Sequence, residues 1–161
     1  MTIAALIPEL QPFASNLIEE AGRAGLRPQI TSTRRSFSEQ GRLYKKYVSG
    51  QSQYPAAAPG TSAHEYGWAF DMIVTPIGAL KDVGHLWESW GGVWGGRFHD
   101  PVHFEFPGFQ APPNPRTDAF LRAIFRAADL ASYVVTPLGV EEHRPAAYGG
   151  FAEGIERLFG R

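Results

Sequence analysis

One residue limits the folds open to this chain more than any other: Asp71, set in the apolar run Ala69-Phe70-Asp71-Met72-Ile73-Val74. Such a run reads as a buried strand, and a carboxylate inside it is costly to bury unless it is paired, hydrogen-bonded or bound to a cation. The fold must therefore bring partners to Asp71. A second run, HDPVHFEF over residues 99–106, repeats the pattern. Alternation along a strand puts Val102, Phe104 and Phe106 on one face and His103 and Glu105 on the other. His64 stands seven residues before Asp71, and Asp100 three before His103. If the two strands turn these groups to a common face, His64, Asp71 and His103 offer three ligands with a fourth position open, the arrangement of a catalytic zinc. Asp100 is then placed to activate water at that position. The competing reading makes each of the three a hydrogen-bonded structural residue, the commoner fate of a single His or Asp near a strand.

Composition narrows the chemistry. The 161 residues include no cysteine. That excludes disulfide frameworks, thiolate metal sites and a cysteine nucleophile, and leaves His, Asp and Glu as metal ligands. The length suits one hydrophobic core. Lys and Arg nearly balance Asp and Glu, for a formal net charge of −1, so bulk charge does not draw the chain to nucleic acid or an anionic membrane. No apolar run approaches the roughly 20 residues of a membrane-spanning helix. The first 22 residues lack a basic stretch and carry prolines and acids early, unlike a secretory leader.

Periodicity predicts a helix over residues 8–25, a strand over 28–33 and a helix opened by the capping-box pattern of Ser36 and Glu39, with Gln40, Leu43, Tyr44 and Tyr47 on one stripe. A proline-rich loop follows to Ser62, with a turn at Pro59-Gly60. Strands are expected over 67–74 and 102–106, with a helix over 79–90 and a glycine-rich turn between them. The segment 107–116 divides a main domain, residues 1–107, from an extension, residues 108–161, too short for its own core and expected to pack on the main domain. In the extension, Phe120, Leu121, Ile124, Phe125 and Ala128 mark one helix, and Phe151, Ile155, Leu158 and Phe159 a second.

The segments SAHEYGWAFD (62–71) and HDPVHFEF (99–106) together resemble the zinc peptidases of the D-Ala-D-Ala carboxypeptidase and L-alanyl-D-glutamate endopeptidase group, whose fold class includes the hedgehog signalling domain. The matching positions are Ser62, His64, Gly67, Ala69 and Asp71, then Asp100 and His103. Upstream, Arg35, Ser36, Gln40, Leu43 and Tyr44 fit the same family, and LWESWGGVWGGRF (86–98) is similar to its phage-endolysin branch through Trp87, Glu88, Ser89, Trp94, Gly95 and Gly96. The resemblance covers roughly residues 5–107. With it, an α+β fold is expected: a small antiparallel sheet with the site on one face and helices packed on the other, to which the apolar stripes beyond residue 107 add a helical C-terminal extension.

The resemblance also implies one zinc ion held by His64, Asp71 and His103, with Asp100 as general base and Arg35 steadying the oxyanion of the tetrahedral intermediate. The implied function is cleavage of peptidoglycan stem peptides. Within it, the Asp at position 100 and the tryptophan–glycine segment favour an L-alanyl-D-glutamate endopeptidase, with D-Ala-D-Ala carboxypeptidase action as the alternative. The expected setting is phage or prophage lysis: a monomer made in the cytoplasm and acting on the wall after release. Ser62, Gln40, Glu105 and Trp94 are candidates for touching substrate or orienting a ligand, each with a structural alternative. Arg34, where the family usually has an aromatic residue, and His99 are expected at the surface. Two rival classes remain. One is a non-catalytic zinc-binding module, against which Asp100 and Arg35 together argue. The other is a serine hydrolase built on Ser62, His64 and Asp71, which are strung too tightly along one segment to converge easily.

Overall fold

Alternation along the strands separates an apolar face of the sheet from a polar one. The computed structural model describes residues 2–125 and the backbone of residues 133–136 and 139–142. A 3-10 turn (Ile3–Ala5) leads to α1 (Leu10–Arg23), β1 (Arg27–Ser32) and α2 (Phe37–Val48). A second 3-10 turn (Ala63–Tyr66) precedes β2 (Ala69–Thr75), followed by α3 (Leu80–Ser89), β3 (Val93–Trp94), β4 (His103–Glu105) and α4 (Pro115–Ile124). The four strands β1–β4 form one antiparallel sheet in the order β1-β2-β4-β3.

On β2, Phe70, Met72 and Val74 point to the helix side, where they are essentially sealed from solvent. They join Phe104 of β4, the Leu10, Ala14, Leu17 and Ala21 stripe of α1, and Leu80, Val83 and Trp87 of α3. The α1 stripe recurs every three or four residues, so the helix presents one continuous apolar face. Each buried leucine there contributes about 1.5–3 kcal/mol. Phe70 and Phe104, neighbours across the β2–β4 pair, stack with centroids 5.3 Å apart. Asp71 and His103 take the alternate positions and face the other way.

The α+β architecture is the expected one: a small antiparallel sheet with helices on one face and the polar cluster on the other. Ser36 and Glu39 make the capping box that opens α2. Expected elements shift at their ends, and one further strand appears. Pro8 and Glu9 form a turn ahead of α1 rather than its first residues. Gly67 and Trp68 are not strand, because Gly67 adopts φ 76° to leave the 3-10 turn. The glycine-rich stretch holds a further short strand, β3, whose Trp94 pairs with Phe104.

Beyond residue 107 the chain is not idle. α4 packs on α2 through Phe120, which meets Phe37 and Tyr44, and through Leu121, buried beside Tyr44 and Ala58. Further on, β5 (Tyr133–Thr136) and β6 (Gly139–Glu142) pair antiparallel, an element the apolar patterning does not announce. Ala128 and the second expected tail helix, around Phe151 and Phe159, lie outside the described residues.

Candidate metal centre

Strand register assembles most of the site. In the β2–β4 pair Asp71 stands directly across from His103. In the β1–β2 pair Ser32 stands across from Asp71, next to an irregularity between Ile30 and Ser32. His64 arrives differently, on the 3-10 turn Ala63–Tyr66 that precedes β2. Gly67 makes that delivery possible. Its left-handed backbone favours glycine, which has no Cβ to strain, and the Ile7 N–H donates to its carbonyl at 3.0 Å. A Cβ there would come 3.1 Å from the Ala5 carbonyl oxygen.

The three side chains converge. His64 Nε2 lies 3.1 Å from Asp71 Oδ1 and 3.1 Å from His103 Nδ1, and the latter is 3.5 Å from Asp71 Oδ1. Bonds of about 2.0–2.1 Å in a tetrahedral zinc site imply ligand–ligand edges of about 3.3–3.4 Å, close to these spacings. All three residues are buried. Among the described residues, this is the group of His, Asp and Glu side chains that can hold a metal ion.

Contacts outside the triad aim the lone pairs inward. His64 Nδ1 donates to the Thr33 carbonyl at 2.7 Å, which leaves Nε2 as the bare nitrogen facing the cluster. His103 Nε2 donates to Glu105 Oε2 at 3.1 Å, which leaves Nδ1 facing it. The two imidazoles thus present opposite nitrogens to one point. Arg35 pairs with Asp71 Oδ2, leaving Oδ1 for the histidines. Its Nε donates to Ser32 Oγ at 3.0 Å and its Nη1 reaches Gln40 Oε1 at 3.5 Å. Gln40, buried, is itself oriented by donating Nε2 to the Ala57 carbonyl at 2.8 Å.

The ionisation pattern follows from burial and these contacts. Desolvation pulls His64 below the ordinary histidine range. Desolvation also works against His103, but its bonds to Asp71 and Glu105 outweigh it and push the pKa up to about 10. Burial would raise Asp71, yet its contacts with His103 and His64 hold it well below the usual carboxylate range. Asp100 goes the other way: burial raises it, and Asp71 adds to the rise against the pull of His103 and Arg35.

Asp100 stands at the turn into β4, where its N–H donates to the Gly95 carbonyl at 2.8 Å and its carbonyl accepts from the His103 N–H at 3.0 Å. Gly95 sits so close beneath this turn that a Cβ would overlap the Asp100 carbonyl oxygen and crowd His103 Cβ. Of the other candidates, Glu105 and Gln40 join the cluster through His103 and Arg35. Ser62 opens the His64 turn, its N–H donating to Glu65 Oε2 at 3.3 Å. Trp94 is a correction. It pairs with Phe104 and so shares the helix-side face, where its ring packs in the core with Nε1 donating to the Pro101 carbonyl at 2.8 Å. Arg34 is exposed and donates to the Glu65 carbonyl at 3.2 Å, and His99 is exposed with φ 67°. The patterning missed Thr33, which acts through its carbonyl and carries no side-chain signal. It also missed Ser32, whose hydroxyl alternates onto the polar face of β1.

A family model described as VanY, D-alanyl-D-alanine carboxypeptidase, matches residues 4–90, just over half of the chain. The chain belongs to that family. The match takes in Arg35, Gln40, Ser62, His64 and Asp71 and stops before Asp100 and His103. Membership and the His-Asp-His cluster together make this VanY-family protein a zinc metallopeptidase of the peptidoglycan-cleaving kind. Two solved structures share its fold. One is a Glu-to-Ala mutant of the vancomycin resistance D,D-pentapeptidase VanY from a VanB-type resistance cassette, in complex with Zn(II). It is 19% identical, with TM-score 0.52 over 64% of this chain and 73% of that one. The other is VanYB in complex with D-alanine-D-alanine, 18% identical, with TM-score 0.52 over 73% of this chain and 75% of that one. No curated protein matches the sequence. The family takes its name from the carboxypeptidase reaction, which favours that alternative over the endopeptidase expected from the tryptophan–glycine segment.

Proposed function

We propose that the protein is a zinc-dependent D-Ala-D-Ala carboxypeptidase that removes the terminal D-alanine from peptidoglycan stem peptides. The family match carries this reading, and the two fold relatives, described as a D,D-pentapeptidase and as a D-alanine-D-alanine complex, agree with it. His64, Asp71 and His103 would hold the ion. A zinc ion in such a site supplies Lewis acidity and lowers the pKa of a water it binds. The chain's own groups do the rest. Asp100, half-buried beside His103 and with its pKa raised by burial, takes the proton of the attacking water and returns it to the departing amine. Arg35 uses three of its five N–H groups on Asp71, Ser32 and Gln40. Two remain to stabilise the oxyanion of the tetrahedral intermediate. Gln40 and Ser32 hold the guanidinium still, and Glu105 holds His103.

A second reading keeps two specific supports. The family match ends at Trp90, inside the segment that resembles the endolysin branch, and the proposed base is Asp rather than Glu. Both favour cleavage between L-alanine and D-glutamate. Mass spectrometry of products from a stem pentapeptide ending in D-Ala-D-Ala decides between the two. Loss of a single alanine from the C-terminus is expected. A cut after the first L-alanine, with the D-Ala-D-Ala end intact, refutes the carboxypeptidase and establishes the endopeptidase. No cleavage by zinc-loaded protein refutes both.

A further inference from the structure

α4 lies outside the residues that match the family, yet its first turn grips the chain segment that carries His64. Thr117, itself buried, donates its hydroxyl to the Pro59 carbonyl at 2.7 Å. Gly60, with φ 92°, sits so close that a Cβ would overlap Thr117 Oγ1 and crowd the Asn114 side chain. The other side of the same turn is held by the His64 segment. Glu65 Oε2 accepts from the N–H groups of Gly60 at 2.7 Å and Ser62 at 3.3 Å, and the Tyr66 hydroxyl donates to the Gly60 carbonyl at 3.0 Å. Asn114 caps α4 by accepting from the Arg116 N–H at 3.1 Å. Arg116 in turn lays its guanidinium 4.0 Å over the ring of Phe37, the first residue of α2. One helical turn therefore touches both segments that enter the metal centre. One is the loop from Ala57 to His64. The other is the start of α2, which follows Arg35 and carries Gln40.

We propose that α4 clamps the metal centre, with Thr117 as a positioning residue. The Thr117–Pro59 bond and the packing on Gly60 fix the Pro59-Gly60 turn, and through it the His64 imidazole and the contact between Gln40 and Ala57. This rests on the metallopeptidase reading above. The physical logic is that a 3-10 turn has few hydrogen bonds of its own and cannot hold a ligand rigidly without outside support. The extension supplies that support from a distant part of the sequence.

The test compares Thr117→Val, which keeps the side-chain shape but leaves the Pro59 carbonyl without its donor, with Thr117→Ser, which keeps the donor. Zinc affinity is read by competition with a chromophoric chelator below the melting transition, and kcat and KM are read on a stem pentapeptide at saturating zinc. Thr117→Val is expected to weaken zinc about tenfold, the lower end of the range for residues that orient ligands, and to lower kcat more than it raises KM. Thr117→Ser restores both. Gly60→Ala, which strains the same turn from below, gives the same signature. Leu17→Ala, in the core on the opposite face of the sheet, lowers the melting temperature but leaves zinc affinity at the wild-type value. Wild-type zinc affinity in Thr117→Val overturns the clamp, whatever its melting temperature. Equal zinc loss in Leu17→Ala also overturns it, because it marks a general loosening. A wild-type protein that takes up no zinc refutes instead the metal reading beneath the proposal.

Discussion

Glu105 is the clearest place to test whether the polar face is built around a metal. Its carboxylate touches no ion in the proposed site; it holds His103 Nε2 at 3.1 Å so that Nδ1 faces the cluster. The pair is weakly screened, with side-chain exposures of 11% for His103 and 13% for Glu105. A hydrogen bond to a charged group at such a site contributes about 1.5–3 kcal/mol, roughly twice a neutral one. Glu105→Gln keeps a neutral acceptor, so about 0.75–1.5 kcal/mol is lost, which is roughly four- to twelvefold in zinc affinity. Glu105→Ala removes the acceptor altogether, and the deficit widens to about 10–100-fold.

The pH dependence sharpens the test. In the metal-free protein Asp71 and Glu105 lift His103 to about 10 against the effect of burial, so zinc must displace a proton and apparent affinity climbs with pH towards that value. Glu105→Gln removes one of the two groups that lift it, and the proton then competes less at neutral pH. The variant's deficit should therefore be smallest near neutrality and grow as pH rises. Competition titrations with a chromophoric chelator at several pH values measure both effects. Zinc affinity within about twofold of wild type at high pH, where the range expected for a ligand-orienting carboxylate is 10–100-fold for its removal, would falsify the assignment of Glu105 as the group that orients His103.

Three further outcomes follow from the geometry. Asp100→Asn should keep zinc and lose about 10²–10⁴-fold in kcat; metal analysis showing zinc lost along with activity would make Asp100 a ligand instead. Gly95→Ala should displace the Asp100–His103 turn and weaken both zinc binding and turnover, and wild-type values for both would show that the turn yields freely. Metal-free stability should peak near pH 6.5. His103, raised in the folded state, contributes stability that is fully present below its unfolded pKa of about 6.5 and is lost as pH climbs towards about 10. His64, lowered by burial, loses stability as pH falls below about 6.5, where the unfolded chain binds a proton that the folded one refuses. Chemical denaturation across pH reads this directly, and stability that rises steadily from pH 6 to 10 would contradict it.

Much of the site was legible because strand alternation is a strict rule. Once Phe70 and Met72 are placed on the core face, Asp71 must face away, and Val102 and Phe104 do the same for His103. Local patterns also sufficed for the capping box at Ser36. What the sequence hid was of two kinds. Thr33 works through its backbone carbonyl, which every residue possesses, so no side-chain pattern marks it. Trp94 stood among the candidates for touching substrate, yet its ring packs in the core, where a Cβ on Gly84 of α3 or on Gly96 would overlap the indole. The pairing of β5 with β6 is a two-stranded ladder in a segment without clean alternation, so periodicity could not find it.

Charge balance explains why this constellation suits a divalent ion. Asp71, Glu105 and Asp100 bring three carboxylates to the region around His103, and Arg35 brings one fixed positive charge. With both histidines neutral the cluster is short of positive charge by two units. Its ionisation reflects that shortage. His103 is pushed to hold a proton far above its ordinary range, and Asp100 is raised, first by burial and then by the charge of Asp71. His64 Nε2, His103 Nδ1 and Asp71 Oδ1 would hold a dication, and the missing charge would come with it. His103 would then give up its extra proton, and Asp100 would be favoured in its ionised form, the form a general base requires. On the proposed reading, the binding of the ion and the readiness of Asp100 as base would be one electrostatic event, and a variant that removes the Glu105 carboxylate should loosen the metal and retune the base together.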